Sequence, residues 1–540
     1  MVTAKNIEEF FQKYKANLRR ERQLNNELFR AEDQEVFIED LRNKNKVLRS
    51  LFIENEAMLN LYLRPFIGKE SSLTEELAEA FLKELAAMNE EEDGDLLICI
   101  RMAERLQQYY KEKNSWENWL YITHMLGSFY SRQDEAEDVE KSLSCFDLER
   151  REFSHYADIE EWEIRKRILF SHYNYCVVLL NGRTVLEKTM SRHEKEEYQQ
   201  RIIEETDRAL AVYDDETVRR MDGHNYDLDS LKEELMHDVY GNWICGCDTK
   251  DDMSPEMFER SHQVLKALYD EAYEETKGNI FDIKDEIYCN YQKSCYYRGE
   301  ISLEEYVDRS LTYFDYVLEH ESLHVEEDDF YCQRYFQVNI YQIPNLTCTA
   351  ELKDNPVLFE KLKEYALPRF KAFVEQLPRY TRIQFVDIPL KDSLISLITT
   401  FGTDAVDIHY YLNILCNRDE STVLHITIVK RLVLTLLQKI LEKKPVLLVG
   451  TLKTKNVLEV LEKKDTYEEL ITYASLLYDI GKYDCIDIIN MQNRRLEDTE
   501  RREIHEHPRR GYETLQKVRV PESICEITLG HHKSYDGKTG

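Results

Sequence analysis

The chain has 540 residues, with 104 Asp or Glu against 72 Lys or Arg and a formal charge of −32. That balance excludes a duplex-wrapping nucleic-acid protein, because neutralising phosphates needs clustered cations. Hydrophobic residues, at 42%, supply enough apolar surface for several buried cores rather than a disordered acidic chain, and the length corresponds to about three to four domain equivalents.

Glycine (16) and proline (10) fall far below their usual shares of roughly 7% and 5%. These are the residues that punctuate sheets and turns, so an all-α fold is expected. No run approaches the ~20 apolar residues of a membrane-spanning helix. The N-terminal MVTAKNIEEFFQKY has neither a hydrophobic run nor a small-residue cleavage site, and the expectation is a cytoplasmic protein with no membrane span. Twelve cysteines without a Cys-x-x-Cys pair fit reduced thiols in a reducing compartment. Cys245 and Cys247 form the one close pair. They read as two cysteines near a helix end, since no Cys or His partners lie at zinc-ligand spacing.

From the N-terminus to about Glu375 apolar residues recur at i, i+3, i+4 and i+7 between short polar breaks. Ser72-Leu-Thr-Glu75 and Ser302-Leu-Glu-Glu305 read as capping boxes, and Ser254-Pro255 as an N-cap with proline at the first helical position. Helical hairpins begin at Trp119, Ile168, Leu235 and Ile287. Each joins an aromatic-rich helix to a second amphipathic helix, and the starts lie 49, 67 and 52 residues apart, too irregular for a strict 34-residue period. The block with Gly299 between Tyr297 and Phe314 most resembles the tetratricopeptide family. The resemblance implies that residues 1–376 form an irregular tetratricopeptide-like array presenting a concave face to a protein or peptide partner. His124, His155, His172, His193 and His237 are scattered singly there and carry no catalytic constellation.

A boundary is expected at Leu377–Pro389, where two prolines bracket a β-branched stretch, so that residues 377–540 form a second, all-helical domain. Five of the fifteen histidines fall between His425 and His532. In order come His425, Asp479 in Tyr-Asp-Ile-Gly-Lys482, His507 before Pro508, and the pair His531-His532. Imidazole and carboxylate on successive helices can build a transition-metal site, with Asp able to bridge two cations. Lys482, three residues after Asp479, could hold a phosphate oxygen as a point charge.

Spacing and flanks from about Ile388 to Gly540 resemble the HD-GYP branch of the HD phosphohydrolases. His425 matches the family's first-helix metal histidine, His507 that of its His-Pro motif, and His531 and His532 its paired histidines. Gly511 and Leu515 fit the positions after His-Pro, and Asp536, Gly537 and Gly540 fit the loop leading into the Gly-Tyr-Pro signature. The resemblance implies an all-helical domain holding a divalent metal, Fe or Mn, through His425, Asp479, His507, His531 and His532. It also implies metal-hydroxide attack on a phosphodiester such as cyclic di-GMP, with Asp479 bridging metals and Lys482 contacting phosphate. Lys443–Gly450 reads as an insertion between the first two motifs.

Two departures set the functional expectation. Tyr478 replaces the dyad's imidazole, and a phenol, ionising near pH ~10, is a poor ligand for Fe(II) or Mn(II). The chain stops at Gly540, before the Tyr-Pro of the signature and the helices that carry the family's last carboxylate ligand, so the domain is expected to be C-terminally incomplete. A weakened or inactive phosphodiesterase in cyclic dinucleotide signalling is expected. The alternative is a non-catalytic interaction or nucleotide-sensing scaffold. The arginines from Arg494 to Arg519 could bind phosphate, but interleaved carboxylates make them a salt-bridged face.

Overall fold

The computed structural model describes residues 2–27, 34–69, 72–91, 95–133, 136–160, 162–187, 190–222, 227–325, 329–377, 386–401, 420–485, 488 and 493–534. Among the described residues there is no strand, and the fold is all-α. The chain divides into two compact units. One comprises residues 1–20, 54–322 and 349–355, the other residues 21–53, 323–348 and 356–540.

In the first unit each helix packs on its successor, through Leu96–Glu112, Trp116–Tyr130, Ala136–Arg151, Trp162–Leu186 and Arg192–Asp214. Phe10, Phe11, Tyr14, Phe81 and Phe129 anchor one core, and Phe146, Tyr213 and Trp243 a second. Each such side chain buried in full stabilises by about 1.5–3 kcal/mol. Local chemistry sets the helix ends. Ser254 caps Pro255–Glu275 by accepting from Met257 N at 3.2 Å, with Pro255 in the first turn. Ser302 accepts from Glu305 N at 3.2 Å, while Glu305 turns instead to Arg309. Gly299, at φ 78, closes Asp285–Arg298 in the left-handed region.

Two expectations shift. The Ser72–Glu75 box is replaced by Thr74, whose hydroxyl accepts from Leu77 N at 3.4 Å where the helix Glu75–Glu91 begins. The first helix of the hairpin beginning at Leu235 is continuous but changes pitch: Leu228–Met236 runs without a break through a π turn over His237–Gly241 to a 3-10 turn over Ile244–Gly246.

The second unit contains Pro356–Gln376, Asp387–Phe401, Glu420–Lys443, Lys464–Leu477, Asp498–His505, His507–Lys517 and Glu522–Gly530. Most of the proline-bracketed segment expected as a boundary, residues 378–385, lies outside the described residues, as do Asp536, Gly537 and Gly540. Pro389 sits in the first turn of Asp387–Phe401, where a missing N–H breaks no helical hydrogen bond. The Lys464–Leu477 helix packs on Glu420–Lys443 and on Glu522–Gly530, and His507–Lys517 packs on the 3-10 segment Ile480–Cys485. Lys391 pairs with Asp484 and ties Asp387–Phe401 to that segment.

Candidate metal centre

The site is built at helix ends. Tyr478 closes the Lys464–Leu477 helix, its N–H bonded to Ala474 O at 3.0 Å. Asp479 follows at the turn into Ile480–Cys485. His507 opens its helix with Pro508 beside it, a first-turn position that proline favours. His531 follows directly on Glu522–Gly530.

These ends bring Asp479, His507, His531 and His532 together, with one possible ligand atom from each lying within 4.8 Å of all the others. His507 Nε2 stands 3.2 Å and His531 Nε2 3.4 Å from Asp479 Oδ1, and the two ring nitrogens are 3.1 Å apart. Ligands about 2.0–2.2 Å from a shared cation would be separated by about 3.0–3.4 Å, as these are.

The far side of each ring decides what Nε2 offers. His507 Nδ1 donates to Ile504 O, and His531 Nδ1 donates to Thr528 O at 2.6 Å. A neutral imidazole so committed carries a bare lone pair at Nε2, the arrangement that backbone carbonyls impose on metal-binding histidines. Three lone-pair atoms then face one another, and a positive charge must lie among them: either protons on the rings or a metal ion. Asp479 Oδ1, fully buried, accepts no well-formed hydrogen bond, which favours the cation. Burial works to raise the Asp479 carboxyl. His507 and His531, acting as donors when charged, and the Lys482 ammonium outweigh it and hold the group well below the usual carboxylate range. Burial, and then any positive charge on the neighbouring His531 and His507 rings, lower the His532 ring.

The other carboxylate oxygen has different company. Lys482 Nζ donates to Asp479 Oδ2 at 2.9 Å, and the Lys482 N–H donates to Asp479 O at 2.9 Å. His425 Nε2 stands 3.9 Å from Oδ2, with its side chain 55% exposed, and is not among the four clustered ligands. Tyr478 is buried between the two histidines, edge-on to His531 at 5.0 Å and to His425 at 6.1 Å between ring centres.

The sequence offered no sign of the carbonyls of Ile504 and Thr528, because a backbone group carries no residue signature. Gly481 had a signal, as the small residue between Asp479 and Lys482. Four of the seven arginines from Arg494 to Arg519 are committed to carboxylates: Arg494 to Glu500 in a buried bidentate pair at 2.7 and 2.8 Å, Arg501 to Asp498, Arg509 to Glu506 and Glu513, and Arg510 to Glu503.

No curated protein matches the sequence. The family model described as HD domain matches residues 435–539, a span that holds Tyr478, Asp479, Lys482, His507, His531 and His532 and leaves His425 outside. Residues 435–539 thus match the HD-domain family, and the four side chains placed to hold a metal ion lie within that span.

Proposed function

We propose that residues 377–540 form an HD-GYP-like phosphohydrolase domain whose metal centre is Asp479, His507, His531 and His532. Its turnover of phosphodiesters such as cyclic di-GMP is weakened or lost, because Tyr478 stands in place of the dyad's imidazole. The observation that carries this reading is the convergence of Asp479 Oδ1 with two Nε2 atoms whose rings are anchored through Nδ1. A divalent cation in this mixed imidazole and carboxylate set, Fe or Mn, would supply Lewis acidity toward a phosphoryl oxygen and an activated water.

The chain's own residues position and screen. Lys482 balances Asp479 Oδ2, and its ammonium would hold a phosphate oxygen as a point charge. Tyr478 fills space between His425 and His531 without offering an imidazole lone pair. The remainder, residues 1–376, we take as a tetratricopeptide-like array docking a protein or peptide, within a cytoplasmic signalling protein that binds a cyclic dinucleotide. The distance of His425 from the cluster favours a second reading, a nucleotide-sensing or interaction scaffold without turnover.

Metal content of the purified chain, measured by mass spectrometry alongside cyclic di-GMP hydrolysis in Mn(II), tests both. Bound Fe or Mn that is lost in His507→Ala, with little hydrolysis, is expected. A chain that takes up neither metal removes the proposed centre. Robust hydrolysis abolished by Asp479→Ala removes the weakened-site reading.

A further inference from the structure

The Glu420–Lys443 helix and the turns after it carry a surface unlike the rest of this acidic chain. Between His425 and Lys464 nine Lys or Arg side chains stand against three carboxylates, Glu442, Glu459 and Glu462. The same stretch holds seven of the thirteen exposed large hydrophobic side chains among the described residues. Ile428, Leu432 and Leu436 recur every fourth residue, 49%, 64% and 58% exposed, on the helix face opposite the buried Ile426, Leu437 and Leu441. Beyond Lys443 and Lys444 the 3-10 turn Pro445–Leu448 presents Val446 and Leu447 to solvent, and Leu458 and Leu461 follow on Val457–Glu462. The turn is held in place rather than loose. Its Leu448 packs on a small core of Leu437, Leu441, Val460 and Tyr467, and the Tyr467 hydroxyl donates to Leu448 O at 3.3 Å.

We propose that this surface docks peripherally on an anionic lipid bilayer. Composition separates a lipid from a protein partner. Protein interfaces are enriched in aromatics, Met and Arg and depleted in Lys. Here eight of the nine cations are Lys and none of the seven exposed apolar side chains is aromatic. Aliphatic groups flanked by long, flexible Lys stems suit the boundary of a bilayer, where the apolar parts enter and the ammonium groups stay with the phosphates. Lys439 pairs with Glu442 and Lys464 with Glu468, but these pairs are solvent-exposed and open readily. Charge also orients the contact. The chain as a whole carries −32 and is repelled by an anionic surface except where this patch comes within a Debye length of ~8–10 Å. Among the described residues no helix is long and apolar enough to cross a membrane, so the contact stays on the surface. This inference does not depend on the metal centre.

Flotation of the full chain with phosphatidylcholine vesicles containing about 30% phosphatidylglycerol, against phosphatidylcholine alone, tests it. Binding to the anionic vesicles is expected, about tenfold weaker without phosphatidylglycerol and weakened by raised salt. The double variants Val446→Ser with Leu447→Ser, and Lys443→Glu with Lys444→Glu, should each lower it about tenfold with circular dichroism and Mn(II) uptake unchanged. No binding to the anionic vesicles, equal binding to neutral ones, or full binding by both variants would overturn the proposal. So would a dimer in light scattering that Leu432→Asp converts to monomer while vesicles stay unbound, because the surface would then belong to a second copy.

Discussion

Gly481 and Gly511 meet backbone to backbone: a Cβ on Gly481 would stand 2.5 Å from the Gly511 nitrogen and collide with the His507 carbonyl oxygen. Only the absence of both side chains lets the 3-10 segment after Asp479 cross the His507 helix closely enough for Asp479 Oδ1 to reach Nε2. Gly481→Ala should therefore destabilise the domain by about 1–3 kcal/mol and reduce Mn(II) affinity together with it. Thermal unfolding and calorimetric titration measure the two. An alanine variant with native metal affinity would show that the crossing can relax.

The ligand roles predict a contrast between neighbours. His531→Ala removes a lone pair aimed at Asp479 Oδ1 and should weaken Mn(II) binding by more than the ~10–100-fold that changes to supporting groups produce. Tyr478→Phe keeps the ring between His425 and His531 and should leave affinity within about threefold, a phenol being a poor ligand at neutral pH. A large loss in the phenylalanine variant would make the phenol a ligand.

His172 predicts a dependence on acid. Both its ring nitrogens are buried without a hydrogen-bond partner, and burial, helped by the cations Arg150 and Arg208, lowers its pKa from 6.5 to about 3. Between those values the unfolded chain takes up a proton that the folded chain refuses. The residue's contribution is complete above pH 6.5 and is lost progressively as pH falls toward 3. The difference in stability between wild type and His172→Leu, from denaturant melts, should shift against the wild type across that window. A pH-independent difference would mean the ring gains a partner when protonated.

The opposite sign holds for Glu149. Burial raises its carboxyl above 4.5 despite His124 Nδ1 at 2.9 Å and the more distant Arg167. A raised carboxyl favours the fold most at low pH and loses that contribution as pH rises through its folded value. His124→Ala strands the charge and should cost about 3 kcal/mol at pH ~8, and less near pH ~5. Equal cost at both values would assign His124 a packing role, through its edge contact with Phe146.

Sequence patterns were readable where one residue determines a local outcome. Ser254 and Ser302 each cap the helix they precede because a hydroxyl and an N–H three residues on suffice. Thr74 took the role expected of Ser72 because two hydroxyls two residues apart carry the same signal, and packing of the helix start chose between them. The full capping box at Ser191 and Glu194 went unread although its pattern is present. In the site, Asp479, His507, His531 and His532 were legible as residue types at motif spacing, and the fold brings them together. The stand-off of His425 was not legible, since its distance to Asp479 depends on how two helices cross rather than on any residue in either.

Each of the four clustered groups lies at a helix boundary: Asp479 after one helix, His507 at the start of another, His531 and His532 after a third. Helices can form locally in well under a millisecond, but none of them contains the site, and closing distant segments is the slow part of folding. Metal affinity is thus a gauge of completed tertiary assembly. On refolding, ellipticity should return first and competence to bind Mn(II) afterwards, so a variant can look fully helical and still be blind to its metal.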